Sequence, residues 1–429
     1  MIGRTARRAV FGIAAFALVL STASGCGRDA ATEEAPVQAG TVATEATGEL
    51  EVWAMGAEGD MLDAFLDSYR EKNPNVTVKV VSVPWTAAAD RFQTAIAGNT
   101  TPDVAMMGTT WMSMYGHAFA PVPDAIDTSD FFEGAVATTK INDQAVGVPW
   151  YVDTRVMYYR SDIADQAGWT EPPTTWDDFT TFLTDIKDKT DVDYPIRMLA
   201  SGQDAFQNSL WAAWSAGAQL TDEGETAWTI DSPEMVKALE FYTGIFTNGL
   251  ADTAADATPG ATESEFTEGR IAAFIEGPWM RGVLTGLAGD DFANQFSTAP
   301  LPAPEGGTST SFAGGSNLVV FENSDNIDSA WNLVQWMTSP ETQVEFFKAT
   351  GNLPPAQSAW GNEALQGDAK LEAFSTQLEH TMSPPVATTW MEVAAKGDQI
   401  MEQMIVANKP VAEGVTELQT YAANKGMGE

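Results

Sequence analysis

Leu50-Glu51-Val52-Trp53-Ala54-Met55 has the β-branched and aromatic content of a strand. Gly56 and Gly59 are expected to break it into a loop. Met61, Leu62, Phe65, Leu66 and Tyr69 then follow helical spacing until Asn73-Pro74. Val76, Val78 and Val80 alternate as a second strand. After Val83-Pro84-Trp85, Thr86 is placed to cap a helix carrying Phe92 and Ile96, with Gly98 just past its end. Asp103-Val104-Ala105-Met106-Met107 is a short continuous apolar run, the pattern of a strand buried on both faces. The order β-α-β-α-β predicts a parallel sheet with helices on its faces. Ligands of such sheets bind beyond the carboxyl ends of the strands. Glu58, Trp85 and Thr109-Thr110-Trp111 fall at those ends.

Outward from this unit, Val146 to Val152 is apolar and β-branched but contains Pro149. Proline cannot donate to a ladder, so the strand is expected at a sheet edge. Pro149-Trp150-Tyr151-Val152-Asp153-Thr154-Arg155 then gathers two aromatic rings, a carboxylate and a guanidinium before a further β-like run, Val156 to Tyr159. Aromatic faces beside paired hydrogen-bonding groups suit a polyhydroxylated ring; an edge strand with an Asp153–Arg155 surface pair is the plainer alternative. A second α/β series follows. Thr175, with Asp178 three residues on, opens a helix carrying Phe179, Phe182, Leu183 and Ile186. Tyr194 to Leu199 is a strand, and Ser232-Pro233 opens another helix. Ile271 to Ile275 is a strand ending in the turn Glu276-Gly277-Pro278-Trp279. Gly314 and Gly315 precede the strand Leu318–Phe321, as a hinge, a bulge, a close approach to ligand or a plain turn. Ser339-Pro340 opens a helix ended by Gly351. Gly351 to Pro355 is linker-like, and the tail is helical, with Trp390 near the start of a long helix.

At 429 residues the chain is long enough for two domains. Its formal charge is −37, from 59 acidic against 22 basic residues, which disfavours nucleic acid and anionic lipid as partners. One cysteine and two histidines, His117 and His380, leave almost no room for Cys/His zinc sites or disulfides; no metal and no cofactor are expected.

Met1 to Gly25 has the form of an export signal, with Arg4, Arg7 and Arg8 ahead of the apolar run Ala9–Leu20. Ala23-Ser24-Gly25-Cys26 resembles a lipoprotein signal in which Cys26 is lipidated and becomes the mature N-terminus. Residues 26–48 are expected to be a flexible tether.

The motifs in order resemble a known family. They are Thr101-Pro102-Asp103-Val104, Gly147 to Arg155, Pro172 to Trp176, Phe266 with Gly269-Arg270 and Ala273-Phe274, Gly277-Pro278-Trp279, Phe312 to Asn317 and Ser339-Pro340-Glu341. Together they resemble the maltose-binding-protein-like extracellular solute-binding proteins, the sugar-binding lipoproteins of ATP-binding-cassette importers. The resemblance implies an α/β, two-lobe periplasmic-binding-protein-like fold of type II, with hinge-linked Rossmann-like lobes. The first lobe would comprise residues 49–153 and 316–351, the second residues 154–315 and 352–429. It implies a monomer that captures a neutral carbohydrate, delivers it to membrane permease subunits, and is held at the membrane by its N-terminal lipid. By the family pattern Trp279 and Trp390 stack on sugar rings, and Glu58, Trp111, Asp153 and Asp204 contact ligand. Tyr151, Trp85, Arg155, Glu276 and the hinge glycines Gly314 and Gly315 complete the expected site. Trp150, Trp176, Trp331 and Trp336 are expected in the core.

Two rivals stand beside this reading. A secreted glycoside hydrolase could draw two carboxylates from Glu58, Asp153 and Glu276. A binding protein for a non-sugar solute, such as a polyamine or an amino acid, would want a strongly charged cleft, and no such cluster is visible in the sequence.

Overall fold

The structure, a computed structural model, describes residues 40–255, 258 and 260–428. The export signal and Cys26 lie outside the described residues. In chain order the strands that matter here are β1 (Gly48–Met55), β2 (Val76–Val83), β3 (Val104–Gly108), β4 (Val148–Asp153), β5 (Val156–Arg160), β6 (Tyr194–Arg197), β7 (Ile271–Glu276), β8 (Phe296–Ala299) and β9 (Gly314–Val320). They form two sheets, ordered β2-β1-β3-β9-β4 and β8-β5-β7-β6. The first three strands are parallel, as their helical crossovers require, and β9 runs antiparallel to both β3 and β4. Each sheet is the centre of one α/β lobe.

β4 is the outer strand of its sheet, so Pro149 interrupts no central ladder. Opposite it the register slips between Ser316 and Asn317, leaving Trp150 as the extra residue of a bulge. Trp150 is fully buried and stacks on Phe346 with ring centres 4.4 Å apart. Trp176 and Trp331 are buried too, and Trp336 is half-buried against the same core as Trp331.

Local sequence signals hold where side chains cap helices. Thr175 accepts from the Asp178 amide at 3.1 Å, Ser232 from the Met235 amide at 3.1 Å, and Gly351 ends the helix Pro340–Thr350 at φ 81°. Elsewhere tertiary packing overrides them. The helix after β1 begins at Gly56, not beyond Gly59, because Gly59, Leu62 and Leu66 form one buried face. Glu58 therefore sits in a helical first turn. Trp85, not Thr86, starts the helix Trp85–Gly98. β9 takes in Gly314 and Gly315, which were expected ahead of the strand.

Two boundaries also differ from expectation. Residues 40–48, assigned to the tether, pack on the helix Ile327–Met337. The Thr41 amide donates to Asp328 Oδ1 at 2.7 Å, the Thr47 amide to Ser329 Oγ at 3.0 Å, and Ala46 is buried. Residues 352–358, assigned to the second lobe, hydrogen-bond to the first: the Val152 amide donates to the Leu353 carbonyl at 2.9 Å and the Gln357 amide to the Asp130 carbonyl at 2.8 Å. Leu353 thereby covers the open edge of β4. The chain reaches the second sheet again with the helix Ala369–Leu378, whose Lys370 carbonyl accepts from Thr298 of β8.

Candidate functional site

The carboxyl ends of β1 to β4 and the amino end of β9 lie at one edge of the first sheet. From Asp153 the chain crosses directly into β5 of the second sheet through Thr154 and Arg155. It returns at Phe312–Gly314, where Gly314 pairs with Asp153. Ser311 stitches the two crossings: the Arg155 amide donates to its Oγ at 3.2 Å, and that hydroxyl donates to the Arg155 carbonyl at 2.8 Å.

Arg155 is the centre of the site. Its Nη1 donates to Asp153 Oδ1 at 2.6 Å, its Nε lies 3.8 Å from Glu276 Oε2, and its guanidinium sits 4.6 Å from the centre of the Trp279 ring. One cation thus joins a carboxylate at the end of β4, a carboxylate at the end of β7 and an aromatic face. Trp279 is half-buried and held by its turn. The buried Tyr158 hydroxyl donates to the Gly277 carbonyl at 2.8 Å, and a side chain at Gly277 would overlap the Trp279 indole.

On the first lobe, Glu58 accepts from Asn352 Nδ2 at 2.7 Å. Trp85 and Trp111 meet edge to face with ring centres 5.6 Å apart; Trp85 is 41 % exposed and borders Gly56, two residues before Glu58. Tyr151 is buried, and its hydroxyl accepts from Ser316 Oγ at 3.1 Å. Gly315 has φ 114°, and a side chain there would overlap the Tyr151 carbonyl. Gly314 has no positive φ; its constraint is the Asp153 carboxylate beside it.

Asp204 starts the helix Ala205–Ser215 in the left-handed region, at φ 67°. Its own amide and that of Phe206 donate to Asp398 at 3.0 and 2.9 Å, so the helix Trp390–Ile405 fixes this turn. Trp390 is only 2 % exposed, packed near Trp228 and Phe206. It borders a cavity of about 270 Å³ between the lobes, whose first-lobe wall includes Thr109, Thr110 and Ser113. Trp390 therefore offers part of a wall, whereas Trp279 is half-buried with the Arg155 guanidinium over its ring.

Burial raises the pKa of Glu58, helped by the Asp153 charge and opposed by the Asn352 hydrogen bond. Burial likewise raises Glu276, with Arg155 pulling the other way, and Asp204, where the Asp398 charge adds to the effect. Burial alone would lower the Arg155 pKa; Asp153 and Glu276 more than reverse this, so Arg155 stays a cation. Several carboxylates thus face one guanidinium, an acidic cluster the sequence did not disclose. Asn352, Ser311 and Tyr158 were also missed. Only the position of Asn352, next to a helix-ending glycine, could have drawn attention.

The sequence profile of the family described as bacterial extracellular solute-binding protein matches residues 64–373. A diacetylchitobiose-binding protein of Streptomyces coelicolor is 28 % identical over 404 residues, 90 % of this chain and 90 % of its own. The structure of the sugar-binding protein MalE from Xanthomonas citri superposes with a TM-score of 0.81 at 29 % identity, covering 88 % of this chain and 97 % of that one. UgpB of Mycobacterium tuberculosis, in complex with glycerophosphocholine, gives 0.74 at 20 % identity, covering 88 % and 98 %. The fold is the two-lobe, type II periplasmic-binding-protein fold.

Proposed function

Because the chain belongs to the bacterial extracellular solute-binding proteins, we propose that it captures a carbohydrate between its lobes and delivers it, unchanged, to the permease of an ATP-binding-cassette importer. The observation that carries this is the Arg155–Trp279 pair flanked by Asp153 and Glu276 at the junction of the sheets. An aromatic face takes the C–H side of a pyranose, and the ionic groups take its hydroxyls. Asp153 and Glu276 share Arg155, and Glu58 is engaged by Asn352, which supports holding a ligand over a hydrolase's proton transfer. Labelled oligosaccharide should accordingly stay intact. The protein would act as a monomer anchored through Cys26, and fractionation of a Cys26→Ala variant, expected in the soluble fraction, tests the anchor. Among the described residues no helix is long and apolar enough to cross a membrane.

The test is a thermal-shift panel of maltose, maltotriose, diacetylchitobiose, lactose, spermidine and glycerophosphocholine. A ligand that binds only the folded state raises the melting temperature. At least one sugar should do so; a response confined to spermidine or glycerophosphocholine would replace the sugar with that solute class.

A pH dependence follows from the raised carboxylates. Glu58, Glu276 and Asp204 hold protons more tightly folded than unfolded, so their stability contribution is complete below the ordinary carboxylate range and is lost as pH rises through their folded values. Sugar hydroxyls donate best to ionised carboxylates, so affinity moves oppositely. Between about pH 7 and about pH 5, melting temperature without sugar should rise while affinity falls. Affinity that strengthens on acidification would remove these carboxylates from the contact set.

A further inference from the structure

An aspartate immediately ahead of a helix ordinarily caps it, with extended backbone and its own carboxylate on the second or third helical amide. Asp204 holds that position before the helix Ala205–Ser215 and does neither. It is left-handed, at φ 67° and ψ 9°, and its side chain makes no capping bond. The cap comes from a residue 194 positions along the chain: Asp398 Oδ2 accepts from the Asp204 amide at 3.0 Å, and its Oδ1 accepts from the Phe206 amide at 2.9 Å. Gly397 makes this approach possible, because a side chain there would overlap the Phe206 ring.

The Asp204 carbonyl is held as well. It accepts from the Asn208 amide at 2.8 Å and from the Asn208 side chain at 2.9 Å. Both backbone polar groups of Asp204 are therefore fixed. Its half-buried carboxylate has, among the described residues, only the Gln203 side-chain amide as a hydrogen-bond partner, at 3.5 Å. Gln207 and Asn208, in the first turn of the same helix, line one cavity of about 40 Å³ with Arg155, so this turn borders the crossing between the lobes. Electrostatics alone would not place a second acid here: burial raises the Asp204 pKa, and the Asp398 charge raises it further. What Asp398 gains in return is the helix amides, whose hydrogen bonds oppose the effect of burial on its own carboxyl.

We propose that Asp398 is a positioning residue for ligand binding: by capping the helix in place of Asp204, it leaves the Asp204 carboxylate free, on an already ordered backbone, for the hydroxyls of the bound sugar. This rests on the carbohydrate reading of the cleft. Trp390 begins the helix that carries Asp398, so one rigid element sets both a wall of the cleft and the acid opposite Arg155.

A double-mutant cycle tests whether Asp398 acts through Asp204. The wild type, Asp398→Ala, Asp204→Gly, the double variant and Trp279→Ala are titrated calorimetrically. The ligand is whichever of maltose, maltotriose, diacetylchitobiose and lactose raises the melting temperature most. Glycine adopts the left-handed region freely, so Asp204→Gly removes the carboxylate and keeps the turn. Asp398→Ala should weaken binding at least about fivefold in the otherwise unchanged protein, and less than about twofold when Asp204 is already glycine. Melting curves without sugar should show a loss of stability from Asp398→Ala in both backgrounds, since the helix amides lose their acceptor in each. Asp398→Asn, which keeps the side-chain volume, takes the place of the alanine variant if that one does not fold, and the same pattern is expected. An equal affinity loss in both backgrounds would make Asp398 purely structural and overturn the inference. So would wild-type affinity for Asp398→Ala beside a weakened Trp279→Ala, with the sugar site left standing. If none of the four sugars binds the wild type, the carbohydrate reading fails and takes the inference with it.

Discussion

An Arg155→Met variant is expected to lose about 3 kcal/mol of folding stability and roughly tenfold or more in sugar affinity. The stability loss comes from what stays behind. Asp153 is 8 % exposed and Glu276 is half-buried, and without the guanidinium both keep a poorly solvated charge with no cation facing it. A quarter of the Arg155 side chain remains in contact with solvent, which places the cost at the low end for broken buried pairs. The affinity loss has a second source, because Arg155 backs the Trp279 ring. Urea unfolding measures the first effect and calorimetric titration the second. Adding Asp153→Asn to Arg155→Met should restore part of the stability, since it removes one stranded charge. Unfolding of Arg155→Met at the wild-type urea midpoint would mean that the ion pairs do not hold the crossing.

Trp279→Ala should weaken sugar binding at least about tenfold, or about 1.4 kcal/mol. The indole stands on the turn after β7, held by the Tyr158–Gly277 hydrogen bond and by contact with Gly277 itself, so it is presented without prior ordering. Trp279→Phe keeps an aromatic face and should retain most of the affinity. A titration in which Trp279→Ala binds like the wild type would make Trp279 a structural residue of its turn.

Much of this arrangement could be read from the residues because the signals are local. Pro149 announces an edge strand through a missing N–H, and β4 lies at the edge of its sheet. Trp279 follows a strand end through Gly-Pro, and Asp153 and Arg155 are two residues apart on the same crossing. Other features depend on partners far along the chain. The Asn352–Glu58 bond spans 294 residues, and the sequence around Asn352 shows only a linker. Gly56 and Gly59 suggested a loop, yet packing of Leu62 and Leu66 draws them into a helix. Gly314 and Gly315, expected as a hinge, a bulge, a close approach to ligand or a plain turn, are both strand residues, and it is Gly315, pressed against the Tyr151 carbonyl, that needs the positive φ. The register slip at Trp150 has no sequence marker beyond Pro149 next to it.

Two laced crossings, at Asp153–Arg155 and at Ser311–Gly314, give the lobes a place to rotate about while their cores stay rigid. A sugar that touches both lobes favours the closed arrangement by its differential affinity for it, and a permease can then tell loaded from empty protein by shape. Small-angle scattering of the wild type, with and without a saturating concentration of the tightest-binding panel sugar, measures this directly. The radius of gyration should fall when sugar is added. A protein that binds the sugar, by titration in the same buffer, and keeps an unchanged radius of gyration would contradict capture by lobe closure.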